Sequence, residues 1–138
     1  MRLFDAFAIS GSGMTAERLR LDLIANNLAN IHTTRTPEGG PYRRRFPVFA
    51  QHLETVKDGF KGAGVVVQAV LEDPGEPQKV LDPGHPDADA QGYVSYPNIN
   101  VANEIVDMIG ASRAYEANAT VFEAAKDLAE KALEIGRG

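Results

Sequence analysis

Apolar residues return on a seven-residue beat at the N-terminus of this 138-residue chain, where Phe7, Met14, Leu21 and Leu28 share one frame and Leu3, Ile24 and Ile31 lie beside it. The C-terminus repeats the signal. Val101, Met108, Tyr115, Phe122 and Ala129 share a frame flanked by Ile105, Ala119 and Leu133. The spacing predicts a long helix at each end, of roughly 28 and 35 residues and so about 40 to 50 Å at 1.5 Å per residue. Between them the pattern changes. Thr33 to Gly64 is rich in proline, glycine and charge, with KDGFKGAG (Lys57 to Gly64) as a flexible lead-in. GVVVQAVL (Gly64 to Leu71) reads as a β-branched strand. Two further short strands, Gln78 to Leu81 and Gly92 to Tyr96, bracket DPGHPDADAQG, whose prolines and glycines suit a hairpin connection.

The expected fold class is therefore mainly α with a small β insertion. The terminal helices pair as an antiparallel hairpin or coiled coil, with a short antiparallel β module between them. The divisions are an N-terminal helix over 1–32, a loop with a basic segment over 33–63, the β module over 64–97 and a C-terminal helix over 98–138. A middle of this size is too small to cover two such helices, so the apolar seams need each other and, beyond that, other chains.

Composition narrows the chemistry. Nineteen acidic and 14 basic side chains give a formal charge of −5, so no chain-wide field draws nucleic acid. The absence of cysteine excludes disulfides, thiolate metal sites and thiol nucleophiles. The first residues lack the continuous apolar core and small-residue cleavage site of a secretory signal, and no run approaches the 18 apolar residues of a spanning helix.

Four local features invite sharper readings. Ser10-Gly11-Ser12-Gly13 interrupts the first helical pattern; with no strand before it and no Lys-Ser/Thr pair after it, a bend or a close backbone contact is expected, not a phosphate loop. Asn26, Asn27 and Asn30 are poor helix formers that serve either as a polar cap at a fraying end or as inter-helix hydrogen-bonding groups in an assembly. Arg43, Arg44 and Arg45 follow Pro41 and Tyr42 in a loop; between phosphate binding and a merely solvated charge run, docking on an acidic partner surface is preferred. Asp82, His85, Asp87 and Asp89 gather three carboxylates and an imidazole, but their spacing matches neither a metalloprotease helix nor an EF-hand loop. No catalytic, cofactor or metal site is expected, since a nucleophile, a base and an orienting group are not found together.

Two longer stretches are more specific. SGSGMTAERLRLDLIANNLANIHTTRTPEGGPYRRR and DPGHPDADAQGYVSYPNINVANEIVDMIGASRAYEANATVFEAAKDLAEKALEIG together resemble the axial rod proteins of the bacterial flagellar basal body. ANNLAN (Ala25 to Asn30) and SRAYEAN (Ser112 to Asn118) carry the shared axial signature, while TPEGGPYRRR and DPGHPDADAQGYVSYPN point to a proximal-rod member. The final Gly-Arg-Gly runs past the usual ending and is expected to be unordered.

The resemblance implies a structural subunit with no enzymatic activity. Its terminal segments would be flexible alone and pair as a helical hairpin inside a periplasmic drive shaft that transmits motor torque, and it would be delivered by flagellar type III export without a cleaved signal. It implies as partners copies of the chain itself, other proximal and distal rod subunits, the ring–rod adaptor and the membrane ring, with no nucleic acid and no insertion into the bilayer. On this reading Phe7, Met14, Leu21, Ile24, Leu28 and Ile31 face Ile105, Met108, Tyr115 and Phe122, with Asn118 beside them. Asn26, Asn27 and Asn30 face a lateral interface between subunits, and the loop of Arg43, Arg44 and Arg45 touches a neighbour. Burying a Leu or Ile side chain contributes about 1.5 to 3 kcal/mol against about 0 to 1 for an exposed ion pair, so the seam should dominate assembly.

Overall fold

A computed structural model describes residues 2–138. Helix α1 spans Arg2–Ala29 and helix α2 spans Val101–Arg137; between them lie β1 (Arg45–Val56), β2 (Gly59–Glu72), β3 (Gln78–Leu81) and β4 (Tyr93–Tyr96). The strands form two separate two-stranded antiparallel sheets, β1–β2 and β3–β4. The helices run antiparallel: Phe7 stacks edge-on against Phe122 with ring centroids 4.9 Å apart, and near the other end Asn27 meets Glu104. The expected class, paired terminal helices around a small β insertion, is what the chain adopts.

The centre of the helix seam is not where the large side chains lie. On α2 the buried positions are Glu104, Ala111 and Ala125, with half-buried Asn118 continuing the same seven-residue frame. Small residues on this line let α1 come close, while Met108, Tyr115 and Phe122 flank it half-buried. The glycines of α1 divide accordingly. A side chain at Gly13 would begin 2.7 Å from the Asn118 amide nitrogen, so glycine here is what close approach requires; Gly11 has open space around it. The helix runs unbroken through this segment, and Ser12 ties it to the β insertion. Its hydroxyl donates to the Ile9 carbonyl at 2.7 Å and accepts the Val65 amide at 3.1 Å, fastening β2 to α1.

The β insertion is larger than the sequence suggests. Lys57 to Gly64 is not a flexible lead-in: β1 and β2 pair from Arg45↔Glu72 to Val56↔Gly59, turning tightly at Lys57–Asp58. Register shifts lie between Val48 and Phe49 and between Gln51 and Leu53. Residues 51–62 are all exposed, so the distal half of the hairpin stands out as an arm. The short strands β3 and β4 fall where expected, paired Gln78↔Tyr96 to Leu81↔Tyr93. Helix α2 continues to Arg137 with Gly138 as its C-cap, so Gly136 and Arg137 are helical and not unordered.

The acidic loop between β3 and β4 spends its carboxylates on structure. Asp87 accepts from the Thr34 hydroxyl at 2.7 Å and pairs with Arg35 at 2.5 Å. One Asp89 oxygen accepts the Gln91 and Tyr93 amides, both at 2.9 Å. His85 Nδ1 accepts the Asp87 amide at 3.0 Å. Among the described residues no group of acidic and histidine side chains is placed to hold a metal ion, and no helix is long and apolar enough to cross a membrane.

Gly64 has φ +106° and a side chain there would begin 2.2 Å from Ser12 Oγ, so Gly64→Ala should destabilise the chain by about 1–3 kcal/mol. Gly11→Ala should stabilise it by up to about 1 kcal/mol, and thermal unfolding of the two variants should show these opposite signs. The Thr34 hydrogen bond, with Arg35 adding to it against an opposing burial effect, holds the Asp87 carboxyl below its ordinary range. Its contribution is therefore present above the unfolded carboxylate value of about 3.9 and lost as pH falls through the lowered folded value. Asp87→Asn should remove that part of the acid dependence in a stability–pH titration.

Candidate assembly surface

At the open end of the seam a polar joint ties the middle of the chain to both helices. Asn27, in the last turns of α1, is fully buried. Its Nδ2 donates to the Arg45 carbonyl at 2.8 Å and to Glu104 Oε2 at 3.4 Å; its Oδ1 accepts the Tyr42 hydroxyl at 2.8 Å and the Arg45 amide at 2.9 Å. Both donors and both acceptor sites of the amide are thus filled. Glu104 is 1% exposed, and its other oxygen takes a short charge-assisted bond from Arg44 Nε. Arg44 also lies over the Phe46 ring at 5.5 Å and within 3.6 Å of Asp107, which Arg20 approaches at 3.7 Å from α1. Burial pushes the Tyr42 phenol above its ordinary value, which favours the protonated donor this bond needs.

The joint redirects part of the expected partner-facing set. Asn27 does not face a lateral interface, and Arg44 does not reach outward. Glu104 is a carboxylate buried in the seam, which is tolerable only with a cation and further hydrogen bonds, and Arg44 and Asn27 are the groups that supply them. The neighbours of each keep to the surface. Asn26 is exposed; Asn30 is half-buried and caps the helix by donating to the Asn26 carbonyl at 2.8 Å. Arg43 donates to the Asp73 carbonyl at 3.3 Å and Arg45 lies 3.6 Å from Glu72, both guanidinium groups at the surface. Glu104 and Tyr42 were absent from the sequence-based set. The available signal was that Glu104 shares a seven-residue frame with Ala111, Asn118 and Ala125.

Along the seam, Ile24 is buried with Leu23, which the seven-residue frame had passed over. Phe7, Met14, Leu21, Leu28, Ile31, Met108, Tyr115, Asn118 and Phe122 are half-buried. Ile105, expected to face α1, is instead 41% exposed, because the adjacent Glu104 takes the inward position. Met14, Tyr115 and Phe122, with Gly11, Thr15 and Arg18, border an open groove of about 250 Å³.

The outer side of α2 is apolar and bare. Val106 is 67% exposed and Ile109 52%, and the exposed set on this side continues through Val121, Leu128 and Ile135. Gly110 sits beside them with nothing within 4 Å of where a side chain would start. A glycine inside a helix costs about 1 kcal/mol, and no contact within the chain requires this one. Since Gly13 lies against Asn118 and Phe7 against Phe122, the last turns of α2 extend past the start of α1, and among the described residues no strand or helix lies beside them. Arg113 and Lys131 share this azimuth, so the exposed apolar side chains form one cluster near the start of the helix and one near its end, and clusters of this kind mark interaction faces.

Comparison with known proteins gives a consistent picture. Residues 7–35 match the family model described as flagella basal body rod protein, and residues 90–135 match flagellar basal body rod FlgEFG protein C-terminal. The chain is 43% identical to the flagellar basal-body rod protein FlgC of Borreliella burgdorferi, with all of both chains covered. It is 39% identical to the protein of that name in Bacillus subtilis, covering 99% of this chain and 100% of that one. It is 41% identical to the one in Aquifex aeolicus, with 97% of each covered.

The joint predicts strong non-additivity. Arg44→Ala strands the Glu104 carboxylate and should cost about 3 kcal/mol, the low end for a buried pair because Arg44 keeps 25% of its side chain in water. Replacing both partners together, Arg44→Met with Glu104→Leu, should recover most of that loss in chemical denaturation of the purified chain.

Proposed function

The chain belongs to the FlgC family of flagellar basal-body rod proteins, and from that premise we propose that it is a structural subunit of the proximal rod, built into the shaft by its terminal helices. In this reading the helix pair is the packing part of the subunit and residues 33–97 are the module that sets its neighbours. Copies of the chain, other proximal and distal rod subunits, the ring–rod adaptor and the membrane ring surround it. The subunit passes through the flagellar export channel without a cleaved signal, takes its place in the periplasm, and carries torque from the motor outward. Its work is mechanical, and no bond-making step is assigned to any residue.

The observation that carries this reading is the unpartnered apolar side of α2, on a helix longer than its companion. Exposed apolar clusters such as these are unfavourable in water and become favourable when neighbouring helices cover them. A shaft under torsion also needs subunits that do not hinge internally. The joint of Asn27, Arg44 and Glu104 supports that requirement, since it fixes the β arm against both helices.

The test is the double substitution Val106→Asp with Ile109→Asp. Both side chains are more than half exposed, so the purified variant should unfold at about the same temperature as the parent chain. Cells carrying it should lose motility, and basal bodies isolated from them should lack the chain. Motile cells with the variant present in the rod would contradict the reading.

A further inference from the structure

The arm formed by β1 and β2 presents its sides in an unexpected order. Leu53 pairs with Gly62, Glu54 with Lys61 and Thr55 with Phe60. Lys61 makes a short ion pair with Asp5 of α1, so Glu54 and Lys61 lie on the side turned to the helix. Side chains alternate across a strand, which places Leu53, Thr55 and Phe60 on the opposite, outer side. Phe60 is 72% exposed. A hairpin serving only its own chain would turn the ring inward and the charges out.

Among the described residues nothing in the same protomer covers that ring. Val65, at the base of the arm, is fastened to Ser12, whereas Lys61 reaches Asp5, so the arm's tip runs toward and past the start of α1. The groove of Met14, Tyr115 and Phe122 lies the other way along the same helix. Its volume of about 250 Å³ exceeds the void of about 150 Å³ that is enough to hold a benzene-sized ring. Charge matches as well. Arg18 at the groove's edge and Asp58 at the arm's turn are both exposed, and among the described residues neither has an ion-pair partner in its own chain.

We propose that the arm of one copy seats in this groove of a second copy, with Phe60 as the buried anchor between Met14, Tyr115 and Phe122 and Asp58 meeting Arg18. The inference rests on the rod reading above and adds to it a specific contact. Arm and groove are different surfaces of one chain that cannot meet within a protomer. Their contact is therefore head-to-tail and leaves a free arm and a free groove at its ends, the kind of interface that closes into a ring or continues as a helix. A ring in an apolar pocket, bordered by one charge pair, is the usual form of an interface anchor. Phe60 supplies the affinity, and the Asp58–Arg18 pair sets which way the arm enters.

The parent chain has no cysteine, so introduced thiols are unique. Lys57→Cys leaves Phe60 and Asp58 in place, and Thr15→Cys marks the groove. A short thiol-specific cross-linker added to isolated basal bodies that carry both changes should give dimers and higher multimers of the chain. Neither single variant should give multimers, and adding Phe60→Glu should abolish them. A doubly substituted chain present in basal bodies yet uncross-linked, or linked only to a protein of different mass, overturns the arm–groove contact and leaves the rod reading standing. A tagged parent chain missing from basal bodies overturns the rod reading itself. As an independent check that needs no cysteine, Asp58→Arg and Arg18→Asp should each shrink swimming zones, and the two together should restore them. A double variant no better than the singles counts against the contact.

Discussion

The structure depends on one buried carboxylate. Glu104 sits at the start of α2 in the seam between the helices, at a position that the frame of Ala111 and Ala125 would otherwise give to a small apolar residue. An isolated carboxylate there is untenable, since its lost hydration must be replaced by a cation and further hydrogen bonds. Arg44 brings the charge and Asn27 the amide, and between them the last turns of α1, the segment ahead of β1 and the first turn of α2 are drawn to one point. A joint of this kind adds little net stability over an apolar replacement. What it supplies is registration, because the bonds of Glu104 to Arg44 and Asn27, and of Asn27 to Arg45 and Tyr42, bring three segments of the chain to one point.

With that end fixed, the remaining architecture follows from which surfaces the chain can cover. The seam closes on small residues, the β1–β2 hairpin is fastened to α1 through Ser12, and the acidic loop folds back on Thr34 and Arg35. These contacts engage Thr34, Arg35, Arg44, Asp87 and Asp89 of the middle segment. They leave the outer side of α2, the far half of the arm and the groove beside Tyr115 uncovered, and each carries apolar side chains. The protomer is thus internally fixed and externally incomplete, a combination that suits a part in a larger mechanical body.

The helices, their pairing and the strands β2, β3 and β4 were legible in the sequence, because apolar periods and β-branched runs are local signals that read the same in any context. The strand β1 was not. RFPVFAQHLETV carries Pro47, and its outer half is wholly exposed, so no clean alternation marks it as a strand. The seam on α2 was read in the frame of Met108, Tyr115 and Phe122, whereas the centre is the frame of Glu104, Ala111, Asn118 and Ala125. Large residues advertise themselves in a pattern count, but close helix approach selects small ones. Asn27 and Arg44 were expected to face other subunits, since their roles rest on a partner 77 residues from Asn27 and 60 from Arg44, separations that no local pattern reports.

On the rod reading proposed above, the assembled subunit keeps the Asn27, Arg44 and Glu104 joint and has the bare face of α2 covered by its neighbours. A reconstruction of the assembled basal body at side-chain resolution tests this most directly. It should show Asn27, Arg44 and Glu104 joined as they are here, with Val106, Ile109 and Leu128 packed beneath adjacent subunits. A finished rod in which α1 and α2 have separated, or in which that face of α2 stays bare to water, would contradict it.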